Sequence, residues 1–481
     1  MGTKINRILI VLLFFTAARP SGAQEPVTHR PAESRLISNT EKKLTYGSDT
    51  LRPLPAARAE GNQWWLIFGY EQLNGLVARA LDQNHQLLAG KSQVAEAKAR
   101  EKLAKSALYP TLGINPKVTR EELSANRPLP FDVPAERVRY STYMLPLELS
   151  YELDLFGKNT SERRAGSYRY QSSQAFQEAS ALEIEAEVAR NYILLLMLDS
   201  DAEVLKRTRN ARLENLNIVT TRYNAGLTNE IDVQRARTEL SSVDIQIRDT
   251  QIDRREAELQ LAALTGQPAD SFRLESSGIQ YHSPEVWAPG TDAVPDRPDL
   301  KAGRLSVEAF AEQIKNARRN RYPSLSVFGS AGLVSATSNK LFEEDSRNWL
   351  VGANLSIPVF EGRRRQSLLE ISEQQMEGAA EQLKHNELIA SRQVAQASDE
   401  LRRLNEKLSD QQQFLNAALK TADLSRQRYK QGLVTYLEVV DAERVVLEAE
   451  RLLIQILGGQ LLSTVDLFVS LGGNTAQVYK L

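Results

Sequence analysis

The sequence matches itself. Shifted by 213 residues (Leu87 to Leu300), Leu87, Ala89, Val94, Ala104, Tyr109, Pro110 and Leu112 meet Leu300, Ala302, Val307, Ala317, Tyr322, Pro323 and Leu325. Shifted by 206 (Arg222 to Arg428), Arg222-Tyr223-Asn224-Ala225-Gly226-Leu227 meets Arg428-Tyr429-Lys430-Gln431-Gly432-Leu433, and LAALTG ending at Gly266 meets LFVSLG ending at Gly472. Matches kept in this order mark a tandem repeat, so whatever one half forms the chain forms twice. The halves run over residues 73–267 and 298–472, joined by a Pro-, Ser- and Asp-rich linker over 268–297. Residues 24–72 carry little periodicity and read as extended; residues 473–481 are a tail.

Each half opens with a helix and then a pair of strands. From Tyr143 to Leu155 every odd position is apolar, and Trp349, Val351, Ala353, Leu355, Ile357 and Val359 repeat the pattern. Period two over such a length gives a strand with one apolar face. Weaker partners precede them, placing the strands at about 109–120, 139–156, 322–334 and 348–360, with polar loops over 121–137 and 335–347. A half-buried sheet in a soluble domain would alternate in the same way. The strands also have the reach of a tilted membrane-spanning strand, and Tyr143, Tyr151, Trp349 and Phe360 suit its interfaces. Four strands cannot close a barrel, and an open edge in lipid leaves backbone groups unpaired at several kcal/mol each. A membrane sheet therefore requires several copies of the chain to share one barrel.

After each strand pair comes a stretch with no proline and one glycine, Asn159 to Arg222 and Arg363 to Tyr429. At 1.5 Å per residue these are helices of roughly 90 Å. Val394, Leu401, Leu408, Leu415, Ala422 and Tyr429, then Leu433, Val440, Leu447, Ile454, Leu461 and Phe468, recur every seven residues, the spacing of coiled-coil packing. NAGLTN and KQGLVT turn the chain at Gly226 and Gly432, with Thr228 and Thr435 placed to cap the following helix. Two helical hairpins result, over 159–266 and 363–471. Because both ends of every strand pair return to helices, the polar strand loops lie on one side of a membrane and the helices on the other.

Composition narrows the function. A formal charge of -1 without a cationic run offers nothing to nucleic acid. Lys4 and Arg7 precede the apolar run Ile8 to Phe15, and Ser21-Gly22-Ala23 follows, so residues 1–23 read as a secretory signal peptide. Cysteine is absent, which removes disulfides, thiolate metal sites and acylation on cysteine. His29, His85, His282 and His385 lack metal-ligand spacing, and no nucleophile motif or phosphate-binding glycine loop is present, so neither catalysis nor a cofactor is expected. A soluble periplasmic coiled-coil scaffold or adaptor, and an exit duct for protein secretion, are the competing readings. The bilayer-length strands argue against the scaffold.

The tandem repeat, YELDLFGK (Tyr151 to Lys158) and IPVFEGRRR (Ile357 to Arg365) at strand-to-helix junctions, and the two RYxxGL tips together resemble the TolC family of outer-membrane efflux proteins, particularly its OprM-like branch. That resemblance implies a mixed fold: a transmembrane β-barrel shared between subunits, four strands per chain, continued by a long α-helical coiled-coil barrel across the periplasm. It also implies a homotrimer in the lipid of the outer membrane, exporting small molecules with a periplasmic adaptor (membrane fusion) protein and an inner-membrane pump. The tips would dock the adaptor through Arg222, Tyr223, Gly226, Leu227, Arg428, Tyr429, Gly432 and Leu433. VVDAER (Val439 to Arg444) is similar to the family's gate segment, which makes Asp441 and Arg444 gate residues. A ring of Asp441 copies would line a narrow pore, with Arg444 one turn away to pair with it; an exposed ion pair with no gating role is the plainer alternative. Many members of the branch carry a lipid-bearing cysteine after the signal, and this chain has none.

Overall fold

The computed structural model describes residues 52–53, 63–125, 137–282 and 297–473. The chain begins with β1 (Arg52–Pro53), a 3-10 turn at Trp64–Phe68, α1 (Glu71–Gln83) and α2 (His85–Ser106). Asn84 separates the two helices. Its side-chain oxygen accepts from the N–H groups of Gln86 and Leu87, capping α2, while its amide donates to the Leu264 carbonyl 2.9 Å away.

The strands β2 (Thr111–Ile114), β3 (Lys117–Leu123) and β4 (Val138–Leu153) follow, then α3 (Lys158–Asn224) and α4 (Glu230–Leu264). β5 (Tyr281–His282), which pairs parallel with β1, precedes α5 (Pro298–Arg319), β6 (Ser324–Ser335), β7 (Arg347–Ser356), α6 (Arg364–Lys430) and α7 (Tyr436–Ser470). α3 and α6 are each 67 residues, and α4 and α7 each 35. Both long helices lie 206 residues apart, from Lys158 to Arg364 and from Asn224 to Lys430.

β2 and β3 are two pieces of one strand on β4, in a single register from Thr111↔Ser150 to Leu123↔Val138. They part at Asn115-Pro116, where proline has no N–H for the ladder. β6 joins the other side of β4 (Leu147↔Ala331) and β7 pairs with β6 (Ser324↔Ser356), all antiparallel. Among the described residues, β7 on one margin and β2/β3 on the other each have one partner strand. Large apolar side chains on these strands stand exposed, among them Leu112, Ile114, Val118, Trp349, Val351 and Leu355.

The main core lies along α3, α6 and α7, not in the sheet. Val394, Leu401 and Leu415 of α6 and Ile454, Leu461 and Phe468 of α7 are buried in it, as the seven-residue spacing predicts. Gly458 brings α7 against α3, since a Cβ there would overlap the Met197 sulfur. α7 is the one described helix apolar and long enough to cross a bilayer, but 67 % of that stretch is buried.

Two expectations need correction. The region before residue 73 is not wholly extended: Trp64, Ile67 and Phe68 are buried in the 3-10 turn, and Trp64 stacks on Phe468 with centroids 5.9 Å apart. Contiguous apolar side chains have no period to read, yet burying them outweighs the cost of ordering the segment. The described start of the linker, residues 268–282, is also packed against the helices rather than serving only as a connection. Phe272 and Ile279 are buried, the Ser277 N–H donates to Asp199, and Glu258 accepts from the Leu274 N–H. Burial pushes the Glu258 carboxyl up, but that N–H and Arg255 and Arg254 outweigh it and hold the group below its ordinary range. The expected signal peptide and the residues after 473 lie outside the described residues.

Candidate functional site

Both hairpins turn through a glycine in the left-handed region, Gly226 at φ 71° and Gly432 at φ 77°, with nothing near where a Cβ would stand. The Leu227 N–H returns to the Arg222 carbonyl (2.9 Å) and the Leu433 N–H to that of Arg428 (3.0 Å), closing the ends of α3 and α6. The capping expectation holds only in position for α7, where Thr435 is the N-cap residue but its side chain makes no capping bond. At α4 the cap is Asn229, whose oxygen accepts from the Asp232 N–H, and Thr228 bonds to the Asp232 carboxylate instead. Thr228 stands one residue before the N-cap position, so the capping role falls to Asn229.

The eight tip residues divide. Arg222 lies over the Tyr429 ring (4.9 Å) and donates to the Tyr429 carbonyl (3.2 Å), so this pair binds one hairpin to the other. Tyr223, Leu227, Arg428 and Leu433 point outward. Tyr429 and Tyr436 pack with Val219, Val233, Ala236, Val439 and Val440 into a small core behind the turns. Burial pushes the Tyr436 phenol up to about 12, so it stays neutral.

Arg444 does not pair with Asp441 of its own chain. It crosses to α4 and forms an ion pair with Glu239, while Asp441 stays exposed. The hydrogen bonds it donates to Glu239 raise the Arg444 guanidinium above its ordinary value, with Asp441 a lesser influence. The reason is solvation: Glu239 is 7 % exposed and needs a cation, whereas Asp441 is satisfied by water. Between α4 and α7 a groove of about 570 Å³ is bordered by Ile231, Arg235, Leu437 and Arg444.

The sequence reasoning missed the charge cluster behind the Val439–Arg444 stretch. Arg212 of α3, 2 % exposed, contacts Glu443 of α7 at 2.6 Å and Glu239 of α4 at 3.5 Å. Glu443 also accepts from Asn215 (2.9 Å) and from Arg426 of α6 (2.7 Å). One buried cluster therefore touches all four helices of the two hairpins. Its signal was a charge interrupting an apolar seven-residue column, as in Leu205-Arg212-Val219 and Tyr436-Glu443. No group of residues suited to a metal ion occurs among the described residues.

A four-strand antiparallel sheet with exposed apolar faces, carried on two helical hairpins of unequal arms, defines a membrane protein of the outer-membrane duct class. The chain belongs to the outer membrane efflux protein family, whose model matches residues 76–267 and 291–473. It is 27 % identical over 428 residues to the probable efflux pump outer membrane protein SepC of Pseudomonas putida, covering 88 % of each chain. It is 26 % identical over 428 residues to the pyoverdine export outer membrane protein OpmQ of Pseudomonas aeruginosa, covering 88 % of this chain and 90 % of that one. The crystal structure of the outer membrane protein VceC from Vibrio cholerae has the same fold, with a TM-score of 0.79 at 24 % identity over 86 % of this chain and 99 % of that one. The protein is an outer-membrane efflux channel component.

Proposed function

We propose that three copies of this chain close one barrel in the outer membrane and one helical duct below it, forming a passive exit for small molecules. The tips engage a periplasmic adaptor and, through it, an inner-membrane pump. The observation that carries this reading is the sheet itself. Its margins, β7 and β2/β3, are each paired on one side only, and within lipid such edges require strand partners. The two halves act as structural repeats, which supplies the register between copies. Ser150 to Ser356 is a step of 206 and Thr111 to Ser324 a step of 213. Carrying Leu147↔Ala331 by those steps (147 + 206 = 353; 331 − 213 = 118) pairs Ala353 with Val118 of the next copy.

The long helices support the same assembly. Ile231, Ile245, Ile252 and Leu259 form an exposed apolar stripe at multiples of seven along α4, the form of a seam awaiting another helix. The named cargo of OpmQ, pyoverdine, favours small molecules over polypeptides. In this reading the protein conducts, and the pump supplies the energy.

The chain has no cysteine, so the register is testable directly. Ala353→Cys with Val118→Cys is expected to give oxidation-dependent linked species up to the trimer. Efficient linkage of the shifted pair Ala353→Cys with Thr119→Cys, and none of the first, would contradict the register.

A further inference from the structure

Both strand-to-helix junctions expose an apolar pair, Leu155 and Phe156 in the first, but the second adds a cationic surface that the first lacks. Val359 and Phe360 are 93 % and 89 % exposed, the most exposed large apolar side chains described. Beside them Arg321, Arg363 and Arg364 border one depression. All three arginines are exposed, and none forms an ion pair among the described residues. The nearby carboxylates are already engaged: Glu361 with Arg365, and Glu373 with Arg318. Glu370 accepts from Gln366.

The fold does not require these charges. At the positions 206 and 213 residues earlier, the first junction has Gly157 for Arg363, Leu108 for Arg321, and Lys158, paired with Glu152 at 2.6 Å, for Arg364. Gly157 and Arg363 hold the same left-handed conformation, φ 76° and φ 67°. Arg363 is the one described residue other than glycine with positive φ. Strain kept at a position that glycine fills without cost is a mark of function.

We propose that this junction is a membrane anchor, with Val359 and Phe360 entering the periplasmic leaflet of the outer membrane while Arg321, Arg363 and Arg364 bind the phosphodiester headgroups of anionic phospholipid. The proposal rests on the channel reading above, which puts the ends of the strands at that leaflet. Charge complementarity selects the occupant: unpaired guanidiniums form bidentate hydrogen bonds with phosphate oxygens, and the adjacent apolar pair requires hydrocarbon.

The test uses the full chain in mixed phosphatidylcholine and phosphatidylglycerol vesicles, with bound lipid counted by native mass spectrometry after extraction. Wild type is expected to retain phosphatidylglycerol preferentially. Arg363→Gly, which relieves the backbone, should weaken that preference about fivefold, the contribution of one basic residue near an anionic surface. Arg321→Leu with Arg363→Gly and Arg364→Gln should abolish it. Solute flux through the same vesicles reads the channel separately. Unchanged lipid preference in variants with normal flux would overturn the anchor and leave the channel standing. Displacement of the lipid by millimolar inorganic phosphate would overturn it in favour of a free-anion site. Loss of the oligomer in Arg363→Gly would overturn it in favour of a contact between copies.

Discussion

Replacing Arg212 by Leu strips the central cation from two buried carboxylates, Glu239 and Glu443, which are 7 % and 6 % exposed. Removing one partner of a buried ion pair costs about 3–5 kcal/mol, because the remaining charge is left in a poor solvent. Glu443 keeps Arg426 and Asn215, and Glu239 keeps Arg444, so the low end applies, about 3 kcal/mol. At 1.4 kcal/mol per decade this is about a hundredfold gain in local opening of the four helix ends. Hydrogen exchange of peptides spanning 212–240 and 426–444, measured on the detergent-solubilised protein, reads it. Adding Glu443→Gln to Arg212→Leu should recover most of the loss, since the buried group that lost its closest cation is then neutral. Accelerations under threefold in Arg212→Leu, or no recovery in the double variant, would refute the view that this cluster holds the hairpins together.

Asp441→Ala should raise conductance through the resting channel in planar bilayers if Asp441 lines the gate, and unchanged conductance would count against that role. Gly432→Val forces a β-branched residue to φ 77° and should impair export while sparing assembly, whereas normal drug resistance in that variant would remove the tip from adaptor docking. Glu185 accepts from the Trp64 indole at 3.0 Å, and its burial lifts the carboxyl from 4.5 to about 7. The folded state therefore binds the proton more tightly than the unfolded chain, and stability falls as pH rises from about 4.5 to about 7, then levels. Melting temperatures of wild type and Glu185→Gln across pH 5 to 8 should converge at the acid end and separate above neutrality; parallel curves would contradict the assignment.

Most of the architecture was legible because long periods leave long signatures. The alternation from Tyr143 and the sevens from Val394 to Phe468 each specify which side of an element is apolar, and the described strands and buried columns follow them except at Leu433, which stands exposed in the turn before α7. What escaped lacks a period. Trp64–Phe68 is a contiguous apolar cluster whose burial depends on Phe468, some four hundred positions away, and no local pattern announces that contact. The packed linker depends on Asp199 and Glu258, which look like solvated helix charges until the chain folds back on them.

The Val439–Arg444 stretch shows the same limit. Its motif drew attention to Asp441 and Arg444, and spacing on one helix suggested that they pair. The partner of Arg444 is Glu239, on a different helix, because burial of Glu239 makes its demand for a cation stronger. Spacing within a helix counts neighbours along one chain segment, whereas desolvation is decided by packing between segments.

The central claim, that copies of this chain must share one barrel, is tested most directly by the mass of the complex solubilised from isolated outer membranes. The account predicts a trimer of this chain, conducting when reconstituted in planar bilayers. A stable, non-conducting monomer would contradict it, because the strand margins β7 and β2/β3 would then stand unpaired in lipid.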